Sequence, residues 1–329
     1  MIRAPFLLES PIKTYQSDAF VLGALMTLGE PANSVLDNYF INWMAPRGLS
    51  QYGPWPIRFS PLLTPHNFVS HNLGHQLHFT ARSSTELAGA IGSSLKQGFL
   101  VRLIVDEYHI PDRRAYHNQH KLHDVLVTGA SSDLQSFELA GYCADRRYRK
   151  SLSSIIDLSN AYFGGSKQTG AAGFVAFKAA ISNPISTDLQ EIKRQLTCFL
   201  ECRKSADSRE GPLPWRDISY GLAVFDACEE YVRNVTPSTW LDQRIFSIMA
   251  EHSQMMHRRG VRLEPLLKAK FDPTASDQAK SLSARLKLLS LIPKNRRSEA
   301  QFVEMGKIIR QLKEKSEINI VNMLRMLGN

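Results

Sequence analysis

A change of hydrophobic period near residue 185 constrains this chain more than any other feature. Between residues 99 and 177 the apolar residues come in short, β-branched runs, whereas from residue 188 onward they recur at three- and four-residue spacing. The runs 99–105, 124–128, 136–140 and 173–177, bounded by turn residues, predict strands. The stretches 188–202, 220–233, 240–259, 276–291 and 298–313 predict helices, separated at 210–214 and 293–297 by proline- and glycine-rich or basic breakers. Before the strands, helices are predicted from Ser17 and Asp18, both N-cap types, to a stop at Gly29, then over 34–44, and over 83–97, where Glu86 follows Ser83 in capping-box position. Residues 46–66, with five prolines and two glycines, predict an irregular loop, and 151–162 predicts one more short helix. Helices, then mostly antiparallel strands with short links, then helices only: this is an α+β domain over 1–185 followed by an all-helical domain over 186–329.

Composition narrows the function classes. With 329 residues, 43% hydrophobic and 22% charged, the chain is neither low-complexity nor disordered. No apolar run approaches the ~18 residues of a spanning helix. The start, MIRAPFLLESPIKTYQ, lacks a signal-peptide core, so a cytoplasmic protein is expected. Cys143, Cys198, Cys202 and Cys228 are spaced too irregularly for a disulfide framework. The net charge of +9 is local: residues 258–315 hold 15 Lys and Arg against 6 Asp and Glu, and the rest of the chain holds 25 of each sign. A neutral body with a basic segment suggests a docking surface for an acidic partner, or a solvated helical face. Nucleic acid fits less well, because aromatic residues do not interleave with the basic ones.

Several motifs invite chemistry. The segment 165–170, GSKQTG, holds the ingredients of a phosphate loop without its order, and reads as a flexible connection. Cys198 and Cys202 could half-ligate a metal but lack a second pair, so core packing is expected. Glu251-His252 resembles part of a zinc-protease helix without its full pattern, and reads as a helix surface. No metal and no cofactor are expected. Eight of ten histidines lie between His66 and His123. Of these, His123 heads a predicted strand, which makes it the best candidate general base, against the alternative of a hydrogen-bonded histidine at a strand end.

The segment Asp106-Glu-Tyr-His-Ile-Pro111, then Tyr116, then His123-Asp-Val-Leu-Val-Thr-Gly129 resembles proteins related to the N-terminal domain of butirosin biosynthesis protein H. These in turn resemble the papain-like peptidases of the C39 type. Leu241-Asp-Gln-Arg244 and Glu251-His252 resemble a segment of family members found with peptide- and polyketide-synthase systems. The resemblance implies a Cys at the amino end of the first helix, a His at a strand start and an orienting acid on the next strand. His123 matches the His. The helix start reads Tyr15-Gln-Ser-Asp-Ala19, so the nearest hydroxyl is Ser17, and Gly141 stands where the acid belongs, with Asp145 the nearest acid. Asp106, closing an apolar strand beside Glu107, is expected to face the histidine-rich loop as a structural partner, or to orient His123 in place of the missing acid.

These departures leave a serine variant, a site using His123 alone, or a fold kept for binding. The leading expectation is acyl or aminoacyl transfer, or amide formation, on a thioester carried by an acyl or peptidyl carrier protein in natural-product biosynthesis. The activated substrate then makes a protein nucleophile dispensable. The basic segment would meet the acidic carrier. The alternative is a non-catalytic, degenerate papain-like accessory protein of a synthetase.

Overall fold

The computed structural model describes residues 1–49, 56–60, 74–170, 173–180, 186–205 and 217–328. Much of the expected loop 46–66, His66 and His71, and the breaker 210–214 lie outside the described residues. In chain order the elements begin with β1 (Ile2–Arg3), α1 (Gln16–Leu25), α2 (Glu30–Asn38), β2 (Asn42–Pro46), β3 (Arg58–Ser60) and β4 (Gly74–Thr80). They continue with α3 (Ser84–Lys96), β5 (Leu100–Asp106), β6 (Leu122–Ala130), β7 (Ser136–Tyr142), β8 (Tyr148–Ser154), α4 (Ile155–Thr169) and β9 (Gly173–Ala179). The remainder is α5 (Leu189–Leu200), β10 (Ile218–Tyr220), α6 (Ala223–Asn234), α7 (Gln243–Leu267), α8 (Thr274–Ser290) and α9 (Glu299–Gly328).

The chain divides into two compact units, Met1–Asn33 with Leu63–Ile185, and Ser34–Leu62 with Ser186–Asn329. The second unit therefore takes an early excursion of the chain as well as everything after residue 185. The first unit is built on a seven-stranded antiparallel sheet in the order β4-β9-β5-β6-β7-β8, with β1 paired to β6. Along β5, Val101, Leu103 and Val105 are buried while Ile104 is exposed, the alternation a sheet with one covered face requires. The capping box of α3 forms as expected, Ser83 Oγ accepting from the Glu86 amide at 3.2 Å and Glu86 accepting from the Arg82 amide at 2.7 Å.

Two expectations for this unit change. The helix expected from residue 151 begins at Ile155, because Ser154 Oγ caps it by accepting from the Asp157 amide at 3.1 Å. The four residues before it belong to strand β8, whose buried side are serines and whose Leu152 points outward. An inverted alternation of that kind carries no apolar periodicity to read. The connection expected at 165–170 is the last turn of α4, ended by Gly170 in the left-handed conformation (φ 67°).

The second unit is not all-helical, since β10, β2 and β3 form a three-stranded antiparallel sheet that packs against α5 and α6. The helix expected over 34–44 ends at Asn38 as α2, and residues 42–44 belong to β2 instead, because Trp43 is drawn into the core. Its indole stacks on His252 at 4.3 Å between ring centroids and meets Phe225 edge-on at 4.9 Å, and its Nε1–H donates to Gly221 O at 2.6 Å. His252, expected on a helix surface, is buried: its Nε2–H donates to Ile41 O at 2.9 Å, and burial holds its pKa down at about 3, so the ring stays neutral. Cys198 is buried as expected, whereas Cys202 is exposed. The helix expected over 298–313 runs on to Gly328 as α9.

Arg259, one of the fifteen cations of the basic segment, is also buried. Its guanidinium donates to Leu36 O, Asp37 O and Tyr39 O at 2.9, 2.9 and 2.6 Å, tying α7 to the end of α2. Burial lowers its pKa to about 10, leaving it charged at neutral pH. Removing it would strand three carbonyls, each an unmet acceptor worth about 1–3 kcal/mol. Arg259→Ala should therefore destabilise the chain by at least about 3 kcal/mol, read as a lowered urea midpoint, whereas Lys287→Ala should leave that midpoint within about 0.5 kcal/mol.

Candidate functional site

The site forms where β6 and β7 part company. Their ladder pairs Val127 with Leu139 and Leu126 with Ala140, so the next backbone pair in register would be Asp124 with Tyr142. The side chain of Gln16, first residue of α1, takes that place. Its Oε1 accepts from the Tyr142 amide at 2.6 Å, and its Nε2 donates to Asp124 O at 3.0 Å. Because a backbone N–H can only donate, the Tyr142 contact fixes which end of the amide is oxygen. Nε2 then also faces His123 Nδ1 at 2.6 Å.

Gly141 makes this insertion possible. A Cβ there would stand 2.5 Å from Gln16 Oε1 and 3.0 Å from Arg113 Nη2, closer than packing allows. The position where the resemblance calls for an acid is thus filled by an amide and a guanidinium reaching over a glycine. The carboxylate beside His123 is instead its own neighbour, Asp124, with Oδ1 3.3 Å from Nδ1. Asp124 Oδ2 accepts from Arg102 Nε at 3.1 Å.

Two partners compete for Nδ1. The 2.6 Å contact with Gln16 requires an unprotonated Nδ1, and this shorter contact governs the neutral ring. When the ring is charged, Nδ1–H turns to Asp124, whose carbonyl and carboxylate oxygens lie at 3.2 and 3.3 Å. Burial works against that charge, yet the hydrogen bond and charge of Asp124 outweigh it and raise the His123 pKa above 6.5. Burial likewise opposes ionisation of Asp124, and the His123 hydrogen bond with the Arg102 charge overcomes it, holding Asp124 at about 2. In both states the proton on Nε2 remains, and Nε2 has no hydrogen-bond partner among the described residues. The ring is one-third exposed, so it offers the surroundings an N–H donor rather than the lone pair a general base needs.

Further donors lie close by. Arg113 is buried, with Nη1 donating to Tyr142 O at 2.6 Å, while its Nε and Nη2 have no partner among the described residues. The Tyr148 hydroxyl is likewise buried without one, and burial, then the charges of Tyr142 and Asp124, raise its pKa. Such groups are rare in folded chains and each invites an acceptor.

The other expected residues scatter. Ser17 lies one residue past Gln16, inside α1 and not at its cap, which is Tyr15; among the described residues its hydroxyl makes no hydrogen bond with His123. Asp145 accepts from the Arg147 amide at 3.0 Å and from Arg149 Nε at 3.3 Å at the surface, with no bond to His123 among the described residues. Asp106 faces the histidine-rich loop as expected, but its partner there is His120, with Nδ1 to Oδ2 at 2.6 Å. It does not orient His123, which lies opposite Val105. Gln16, Asp124 and Arg113 were missed, since nothing in the spacing of a glutamine at a helix start predicts that it will replace a backbone ladder pair.

These groups define a donor-rich site at the splayed end of an antiparallel sheet, set against a helix amino end. No protein-family model matches the chain, and no curated protein matches it.

Two outcomes follow for this site. Gln16→Ala removes the amide hydrogen that competes for Nδ1, so the His123 pKa, followed by NMR of its ring protons, should rise further while stability falls by about 2 kcal/mol. The folded-state pKa of Asp124 is depressed, so its ion pair contributes fully above the ordinary value of 3.8 and is lost as pH falls through about 2. Asp124→Asn should accordingly flatten the acid limb of stability between pH 4 and 2, measured by urea unfolding across that range.

Proposed function

We propose that the first unit has the papain-like, C39-like arrangement and acts on acyl or aminoacyl groups held as thioesters on a carrier protein, by acyl transfer or amide formation. The single observation that carries this reading is a site rich in unpartnered donors but without a nucleophile bonded to its histidine. Nε2–H of the one-third exposed His123 ring suits the oxygen of a carbonyl that becomes an oxyanion under attack. An incoming amine attacks the thioester carbon, the C–S bond breaks, and the amine's proton leaves with the thiol. No acyl-enzyme is formed. His123 thus acts as a carbonyl-polarising donor rather than the base its sequence position suggests.

The carrier would meet the second unit's basic surface. Arg259 belongs to the core, and Arg310, Lys313 and Arg285 are paired with Glu229, Asp226 and Glu304. Lys287, Lys294, Arg296 and Lys307 have no ion-pair partner among the described residues, and exposed Leu288 and Leu291 lie beside the first two. Exposed leucines next in sequence to unpaired cations suit an acidic helical partner.

A second reading, a non-catalytic accessory protein of a synthetase, is favoured by His123 Nδ1 meeting the amide of Gln16 rather than a nucleophile, and by Gly141 standing where the resemblance calls for an acid. Transfer from a loaded carrier separates the two. His123→Ala should abolish it, and Ser17→Ala should lower it by less than about tenfold, or ~1.4 kcal/mol. Mass-spectrometric trapping of an acyl-Ser17 would restore a serine mechanism. Indifference to both substitutions would favour the accessory protein.

A further inference from the structure

The histidine-rich loop that the site above leaves unused ends in a cluster of its own. Asp106, His109 and His120 each offer one ligand atom within 4.8 Å of the others. The register sets Asp106 opposite Leu122 and Val105 opposite His123, so Asp106 and His123 leave the paired strands on opposite faces. This cluster therefore stands independently of the reading just given.

Its carboxylate is prepared for a ligand. Asp106 is 1% exposed, and its Oδ1 is occupied by the backbone amides of Tyr108 and Lys121 at 3.1 and 3.0 Å. That leaves Oδ2 facing the two imidazoles, steadied by Gln168 Nε2 at 2.8 Å, an arrangement typical of groups that orient a metal-binding carboxylate. The His120 ring is stacked on Tyr108 at 4.4 Å between centroids. Space is kept open from the other side by α4. A Cβ on Gly164 would lie 3.5 Å from Asp106 Oδ2 and 3.6 Å from His109 Cδ2, filling the gap between two of the three donors.

We propose that Asp106, His109 and His120 bind one divalent transition-metal ion, zinc foremost, that clips the end of β5 and residues 107–121 against α4. Two imidazoles and one carboxylate favour zinc, cobalt or nickel over magnesium or calcium, which take oxygen-only shells. On binding, the neutral His120 ring changes tautomer: the Nδ1 proton, held toward Asp106 Oδ2 in the ion-free cluster, is given up to solvent, Nε2 takes one from solvent, and the Nδ1 lone pair turns to the ion. Ligands of one zinc lie about 3–3.5 Å apart. The half-buried His109 and the His120 side chain, 63% exposed, can make that adjustment while Asp106 stays fixed. Water completes the coordination on the exposed side.

Titration of the full chain with Zn(II) by calorimetry, and with Co(II) by visible absorption, tests the site. One ion per chain is expected. His109→Ala and His120→Ala should each weaken binding by at least about tenfold and together remove the Co(II) bands, with circular dichroism confirming that both variants stay folded. Binding weaker than about 1 mM would overturn the proposal. So would Zn(II) affinity unchanged in the double variant, which would place the ion on other histidines.

Discussion

The first unit depends on one side-chain amide doing the work of a backbone pair. Gln16 occupies the ladder position between Asp124 and Tyr142, and its insertion lets β6 and β7 diverge with the Asp124 carbonyl and the Tyr142 amide still paired. Everything at the site follows from that insertion. It anchors the amino end of α1 to the sheet and demands a glycine at 141. It also occupies Nδ1 of His123, which settles the proton on the other ring nitrogen. A histidine that the strand pattern presents as a base is thereby turned into a donor by a neighbour over a hundred residues away in sequence.

The second unit depends on a comparable substitution of side chain for backbone. The Arg259 guanidinium satisfies three carbonyls around the end of α2, where the chain leaves helical geometry before β2. Arg262 adds an ion pair to the buried Asp37 at 2.9 Å. Two members of what reads as a basic surface run, buried Arg259 and half-buried Arg262, are thus structural braces, and net charge overstates the surface available to an acidic partner.

Elements whose apolar pattern matches their burial were legible. Val101, Leu103 and Val105 announce β5, Ser83 with Glu86 announces the start of α3, and Asp188 caps α5 by accepting from the Glu191 amide at 3.0 Å. β8 was not legible, because its buried positions are serines and its exposed one is leucine. Nor was β2, whose place is decided by Trp43 meeting Phe225 and His252 from helices far along the chain. At the site, His123 could be found from its strand and motif, and Asp106 from the cost of burying an unpaired carboxylate. Gln16, Arg113 and Asp124 act through tertiary register, which local spacing does not encode.

The discontinuity of the second unit also shapes how the chain is made. Trp43, with α2's end, β2 and β3, belongs to a unit completed by α9, which packs on α5, α6, α7 and α8. At ~5–20 residues per second, synthesis of the stretch between Leu62 and the end of α9 takes roughly 10 to 50 s. During that interval the first unit's sheet can form while an indole and its apolar neighbours wait for partners. Nascent chains of this protein thus carry a long-lived exposed apolar segment, a demand on chaperones that a chain with two uninterrupted domains would not make.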